Sequence, residues 1–195
     1  MPRKKREESP TGIYHWIVRG TNKKNIFHDS RDYLYFKDLV LEYKSRYSIQ
    51  IYHYCLMTNH THKLLHADHL KNLAGFSHYV QRRYAYYYCQ RYQWAGCVFQ
   101  KGYKSLIISR EEYLLECGRY IERNPVRVGL VRSAEGYEYS SYHYYAEGKE
   151  DNLLTASPAY LGLSEDPKQR RRLYARHVSE RRIYEEMKEQ NLLCS

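Results

Sequence analysis

The chain lacks any Cys-x-x-Cys pair, and its cysteines are odd in number: Cys55, Cys89, Cys97, Cys117 and Cys194. That pattern excludes a disulfide framework and a zinc ribbon and fits a reducing cytosol. No apolar run approaches the roughly 20 residues that cross a bilayer, so no membrane partner is expected. The N-terminus, Met1-Pro2-Arg3-Lys4-Lys5-Arg6-Glu7-Glu8, has cations but no apolar stretch behind them, which is not a secretory signal. The expected location is the cytoplasm. No internal repeat is present. Acidic residues are the minority: 22 Asp and Glu stand against 32 Lys and Arg, a formal charge of +10. Such an excess serves solubility, and it also favours a polyanionic partner, nucleic acid foremost.

Phenylalanine is scarce, with four copies, whereas tyrosine has 24. Most of these tyrosines are expected to fill the core in place of Phe. A few could stack on unpaired bases or donate to phosphates. At 195 residues the chain can bury one good core, with room for an extension.

Residues 13 to 19 are β-branched and aromatic and predict a strand. Asp29 or Ser30 can cap a helix over about 31 to 47, whose apolar stripe is Tyr33, Phe36, Val40, Tyr43 and Tyr47. Residues 49 to 57 and 60 to 66 predict two strands around a tight Thr58-Asn59 turn. Asp68 can cap a second helix over about 69 to 92, with Leu73, Phe76, Val80, Tyr84 and Tyr87 on one stripe. A short strand follows at 104 to 108. Ser109-Arg110-Glu111-Glu112 has the form of a capping box opening a helix over about 110 to 123, which Pro125 should end. Residues 132 to 164 look irregular. Residues 165 to 192 read as a charged helix with sparse apolar points at Leu173, Ile183 and Met187.

The order predicts an α+β fold: a ferredoxin-like split βαβ with an antiparallel sheet of about four to five strands and helices on one face. An added helix carries Tyr120. The expected units are a basic flexible tail at 1 to 12, a catalytic domain at 13 to 145, and a charged helical extension at 146 to 195.

Two short segments carry the chemistry. In a strand, His60 and His62 point to one face and can aim two imidazoles at one point. In a helix, Tyr120 and Asn124 stand one turn apart. Together they offer two nitrogens, an amide oxygen and a phenol, a set suited to metal-assisted attack by tyrosine on a phosphodiester. The bland alternatives are structural histidines and an ordinary boundary tyrosine with a capping asparagine. His53, His66 and His69 are nearby decoys or supporting groups; His66 shares the predicted face but lies about 13 Å beyond His62 at roughly 3.3 Å per residue. On the helical wheel Leu114, Cys117 and Ile121 form the apolar centre and Tyr120 and Asn124 its edge, while Glu112, Glu116, Arg119 and Arg123 face away. Gly118 in mid-helix costs about 1 kcal/mol relative to Ala, and it permits close approach of a strand or of DNA. The basic segments are Arg3 to Arg6, Lys23-Lys24, Arg82-Arg83, Lys101 to Lys104 and Arg170 to Arg172. In Gln100-Lys101-Gly102-Tyr103-Lys104 the glycine allows backbone approach and Tyr103 can stack.

The segments Tyr14 to Gly20, Asn25 to Phe27, Leu56 to His62, Gly102 to Ser105, Arg119 to Val131 and Ser140 to Tyr142, in this order, resemble the REP-associated tyrosine transposases. These belong to the single-tyrosine HUH superfamily, named for a His-hydrophobe-His motif. The resemblance implies that His60 and His62 are metal ligands, that Asn124 stands where the superfamily places a third ligand, and that Tyr120 is the nucleophile. It implies cleavage and rejoining of single-stranded DNA near hairpin repeats through a 5′-phosphotyrosine, with Mg²⁺ or Mn²⁺. The oxygen-rich remainder of the donor set favours those ions over a closed zinc site. Arg19 and Arg127 lie in matching segments and join Lys23, Lys24, Arg82, Arg83, Lys101, Tyr103 and Lys104 as candidate DNA contacts. A monomer is the expected state, with a homodimer as the other possibility. Three positions depart from the pattern: Thr61 replaces a large hydrophobe, Thr58 a frequent proline, and Tyr139 a common Trp. Two competing readings use the same residues: a non-catalytic hairpin-binding protein that keeps the fold, and an RNA-binding protein. The chain lacks the aromatic run that RNA-binding sheets of this topology commonly carry.

Overall fold

From residue 13 to 107 the chain runs strand, helix, strand, strand, helix, strand, as the periodicities require. The computed structural model describes residues 6 to 100 and 102 to 180. Lys101 therefore lies outside the described residues, as do Ile183, Met187 and the rest of the stretch from 181 onward, which the sequence predicts as part of a charged helix. Strand β1 (Ile13–Arg19) leads to α1 (Ser30–Arg46), β2 (Ile49–Met57), β3 (His60–Ala67), α2 (Leu70–Tyr92) and β4 (Lys104–Ile107). The four strands form one antiparallel sheet in the order β2-β3-β1-β4. This is the ferredoxin-like arrangement that the element order predicts.

Alternation along each strand divides the sheet into two faces. Tyr14, Trp16 and Val18 of β1, with Leu65 and Ala67 of β3, pack under α1 and α2 in the main core. Ile13 and Leu64 face the other way. There they meet Leu114, Cys117 and Ile121 of α3 (Leu114–Glu122), which lies across the second face. A bulge between Ile51 and His53 shifts the register of β2, and this turns His53 toward α3. The shift explains Gly118: a Cβ there would lie 2.6 Å from His53 Cε1. The strand that the glycine admits is β2, through this histidine.

The caps differ from expectation at two helices. Asp29 caps α1, accepting from Arg31 N and Asp32 N. Asp68 does not cap α2; its N-cap is His69, without a side-chain bond. Instead the Glu8 carboxylate accepts from Leu70 N at 3.4 Å. The expected capping box at Ser109 does not form either. A 3-10 turn at Glu111–Tyr113 precedes α3, with no side-chain cap. After α3 the chain does not simply end a helix at Pro125. It bends at Arg123 and starts a short second turn, α4 (Asn124–Arg127), with Pro125 in the first turn, where proline is tolerated.

Residues 6 to 12, read in the sequence as part of a flexible tail, are tied to the sheet. Thr11 Oγ1 donates to Ile108 O at 2.5 Å, and Arg6 donates to Tyr103 O at 3.0 Å. The stretch expected to be irregular holds α5 (Tyr142–Glu147) and α6 (Pro158–Leu161), and α7 (Pro167–Ser179) follows. Just before α5 it covers the open edge of β2: Leu56 N donates to Tyr139 O, and Ser141 N to Tyr54 O. That edge would otherwise offer unpaired backbone groups. Tyr139 stacks on Tyr33 with ring centroids 3.7 Å apart. Helices α5 to α7 build a small third cluster from Tyr145, Tyr160, Tyr174 and Val178. The boundary expected at residue 145 therefore runs through packed side chains. This packing also overturns the expectation for Arg119. It is 2 % exposed, because its guanidinium donates to the carbonyls of His177 and Glu180 at the end of α7.

Candidate active site

His60 and His62 sit on adjacent like-facing positions of β3, and their ring centroids are 4.8 Å apart at 80°. The face they share is the one covered by α3. Tyr120 projects from α3 onto the same spot, its ring centroid 6.1 Å from that of His62 and edge-on to it. The fold thus brings together residues 60 apart in sequence. Tyr120 is 6 % exposed, and the Arg127 guanidinium lies over its ring at 4.7 Å.

A third histidine belongs to the cluster. His15 of β1 packs beside Tyr120, centroid to centroid 6.0 Å, and its Nε2 lies 2.8 Å from His62 Nδ1. Register explains the contact: β1 pairs Ile17 with His62 and His15 with Leu64, so His15 and His62 are diagonal neighbours on one face. The sequence carried a signal for it, since His15 alternates with Ile13 and Ile17 on the face now occupied by α3.

Asn124 opens α4. Its Nδ2 donates to Tyr120 O at 3.0 Å and to Ile121 O at 3.3 Å, closing the end of α3. The amide thus caps α3 through the backbone of Tyr120 and Ile121, and Oδ1 is its acceptor end. His60 Nδ1 lies 2.5 Å from Asn59 Oδ1. The amide is oriented by its other end, because Asn59 Nδ2 donates to Lys23 O at 3.2 Å.

Burial holds the histidines uncharged. It draws His15 down to about 3. His60 is drawn to about 4, by burial first and then by the Arg19 charge. His62 falls well below its ordinary value through burial, then through His15, His60, Arg19 and Arg127. Neutral imidazoles are the form that binds a metal. Among the described residues no group of three or more His, Cys, Asp or Glu could hold an ion, and one nitrogen of His15 is engaged by His62. What the geometry brings together is a pair of imidazoles, His60 and His62, an open donor set and not a closed site.

The basic residues named from the sequence fall into separate groups. Arg19 is exposed and pairs in register with His60. Gly20 follows it, and here a Cβ would lie 2.2 Å from Lys24 O, so only glycine lets the 21–24 loop fold back. Lys23 and Lys24 are exposed on that loop, and Lys24 lies over Trp94 at 3.6 Å. Lys104 pairs with Ile17 and so shares the histidine face. Arg127 reaches Tyr120. Arg82 and Tyr103 are elsewhere: with Arg6, His78 and Phe99 they line a groove of about 440 Å³ beside α2. One side of Tyr103 is covered by Arg6, 4.0 Å over its ring. Arg83 is exposed on α2 and is not among the groove residues.

The family described as "Transposase IS200 like" matches residues 9 to 124. No curated protein matches the chain. Among solved structures, that of a REP-associated tyrosine transposase bound to a REP hairpin superposes with a TM-score of 0.64 at 14 % identity. The match covers 80 % of this chain and 92 % of that one. A Deinococcus radiodurans protein assigned as a transposase is 21 % identical, over 63 % of this chain and 97 % of its own. Its TM-score of 0.40 is too low to carry an argument.

Proposed function

Because the chain belongs to the IS200-like transposase family, we propose that it cleaves and rejoins single-stranded DNA beside hairpin repeats, with Tyr120 as the nucleophile. The family fixes the coarse activity, DNA transposition. The tyrosine, the metal and the hairpin are our reading. What carries it is the meeting of Tyr120 with the His60–His62 pair, centroid 6.1 Å from His62, on the sheet face that α3 covers. A partner of hairpin form is supported by the REP hairpin bound in the similar solved structure.

In this reading the Tyr120 oxygen attacks a phosphorus of the strand. The tyrosine–phosphate bond forms, the bond to the 3′ oxygen breaks, the phenol proton is lost, and the leaving oxygen takes up a proton as a 3′-OH. A free tyrosine has a pKa near 10, so the phenol needs help at neutral pH. His60, His62 and the Asn124 oxygen would hold Mg²⁺ or Mn²⁺. The ion would withdraw charge from the phosphorus and stabilise the charge that develops there. Arg127 above the Tyr120 ring and Arg19 opposite His60 place positive charge where the strand must lie. The total number of phosphate ester bonds is conserved, so a 3′-OH can reverse the step and join strands without an external energy source.

A labelled hairpin substrate with a single-stranded flank tests this. With Mn²⁺ or Mg²⁺, the wild-type protein should give an adduct that survives denaturation, and Tyr120→Phe should bind the hairpin without forming it. An adduct in Tyr120→Phe removes Tyr120 as sole nucleophile. Hairpin binding by the wild type with no cleavage in either metal would instead favour the non-catalytic binder.

A further inference from the structure

The buried bond between His15 Nε2 and His62 Nδ1, 2.8 Å long, has room for one hydrogen. One ring donates and the other accepts. A neutral imidazole carries a single N–H, and both rings are buried between the sheet and α3, away from water that could supply another partner. The direction of this bond therefore decides what His62 can do with its other nitrogen. If His15 donates, His62 keeps its proton on Nε2 and has no lone pair to offer. If His62 donates, its Nε2 is bare.

At His60 the corresponding choice is already made. Asn59 Nδ2 donates to Lys23 O, so Oδ1 faces the ring and can only accept. His60 therefore carries its proton on Nδ1 and presents a bare Nε2. For the two histidines to act on one ion, His62 must match it.

We propose that His15 is a positioning residue: it accepts the Nδ1 proton of His62, and so fixes the tautomer and the ring angle in which His62 Nε2 can serve the site. The proposal rests on the metal-dependent reading above, which is what selects this direction of the bond. The fold suits His15 to the task. It is 1 % exposed, on a central strand, between the sheet and Tyr120, so its nitrogen cannot drift from the partner. Groups that take the second N–H of a ligating histidine typically alter metal affinity by about 10- to 100-fold.

Two measurements test it. In metal-free wild-type protein, long-range ¹⁵N–¹H correlation spectra of the histidines should show His62 protonated at Nδ1 and His15 bare at Nε2. The reverse assignment overturns the proposal. Mn²⁺ binding, followed by titration calorimetry or electron paramagnetic resonance, should weaken by about 10- to 100-fold in His15→Phe and by less in His15→Gln, whose amide oxygen can accept. A folded His15→Phe protein that binds Mn²⁺ within twofold of wild type also overturns it. If His15→Phe does not fold, the wild-type spectra still decide. If wild type binds no Mn²⁺ even with the hairpin strand present, the metal reading fails, and the spectra decide the tautomer separately.

Discussion

Lys63 Nζ donates to Thr61 Oγ1 at 2.8 Å inside the main core, where both residues are fully buried. Around the amine stand Trp16, 4.8 Å away, and Phe36, 4.6 Å away. Thr61 is the position where a large hydrophobe is usual in a His-x-His motif of this kind. Its hydroxyl is the partner that a buried lysine requires, so the departure and the lysine form one unit, on the face away from His60 and His62. Thr61→Val alone leaves the amine without that acceptor and should cost about 1–3 kcal/mol. Thr61→Val with Lys63→Met should recover that loss or exceed wild type, since replacing both partners by apolar groups is near neutral or stabilising. Urea denaturation of the two variants checks this, and additive losses in the double variant would sink the pairing argument.

The lysine adds a pH signature. Burial draws its amine well below the ordinary value, so the unfolded chain binds the proton more readily than the folded one. Stability contributed here rises with pH until the unfolded value near 10.4 is passed. The gain from Lys63→Met in the Thr61→Val background should therefore shrink as the pH is raised from 7 to 10.

The histidine cluster acts in the same direction at lower pH. His15 and His60 are drawn down to about 3 and about 4, whereas unfolded histidine titrates near 6.5. Their full contribution is present above pH 6.5 and is lost as the pH falls toward those values. Each should remove roughly 1.4 kcal/mol per pH unit within its window. Denaturation of metal-free protein between pH 7.5 and 5 should show this fall, and His15→Phe should make it shallower. An unchanged slope in that variant would mean that His15 takes up its proton as readily in the folded state as in the unfolded one.

Gly118→Ala should destabilise although alanine is the better helix former by about 1 kcal/mol. The new Cβ would lie 2.6–2.8 Å from three atoms of the His53 ring. That ring cannot retreat, because it stacks on Tyr145 at 4.4 Å and its Nδ1 bonds Glu122 at 3.1 Å. Overpacking of this kind costs about 1–3 kcal/mol. A variant as stable as wild type would show that α3 can shift away from the sheet. Such a shift should also move Tyr120 relative to His62.

Arg19 and Arg127 flank the histidines, while Arg83 does not. Arg19→Ala and Arg127→Ala should each weaken hairpin-DNA binding at all sequences and lower the salt slope of log K by about 1. Arg83→Ala should change the slope less. Fluorescence anisotropy between 50 and 300 mM salt, on the order used for such slopes, separates them. Equal losses for all three variants would mean that the strand runs over α2 as well as across the histidine face.

What was legible in the sequence was local or periodic. The strands around Thr58-Asn59, the α1 stripe from Tyr33 to Tyr43 and the like-facing His60 and His62 follow from period and turn chemistry alone. The rest depended on contacts between distant segments. His15 becomes part of the site only through the β1–β3 register. Asp68 loses its capping role to Glu8, 60 residues earlier. Arg119 looked solvent-facing on its own helical wheel, and α7 buries it by offering the carbonyls of His177 and Glu180. Residues 132 to 164 carry no long period because their task is to cover an edge and seed a cluster of tyrosines.

That cluster leads to the last prediction, on Glu122. Its carboxylate is fully buried at the end of α3, two residues past Tyr120. It accepts from Ser141 Oγ at 2.6 Å and from Tyr174 OH at 2.8 Å, and it meets His53 Nδ1 at 3.1 Å. One side chain thus joins α3, β2, the edge-covering segment and α7. Removing one donor leaves the others in place, so Tyr174→Phe should cost about 1–3 kcal/mol. Glu122→Leu strands three polar partners together and should cost more than that, by at least a further hydrogen bond of about 1 kcal/mol. If the network sets where α3 sits on the sheet, Glu122→Leu should also lower cleavage in protein that remains folded, while Tyr174→Phe should lower it less. Denaturation midpoints and the hairpin cleavage assay, run on the same samples, separate the two effects. Full cleavage by folded Glu122→Leu would show that the packing of Leu114, Cys117 and Ile121 alone holds Tyr120 in register with His62.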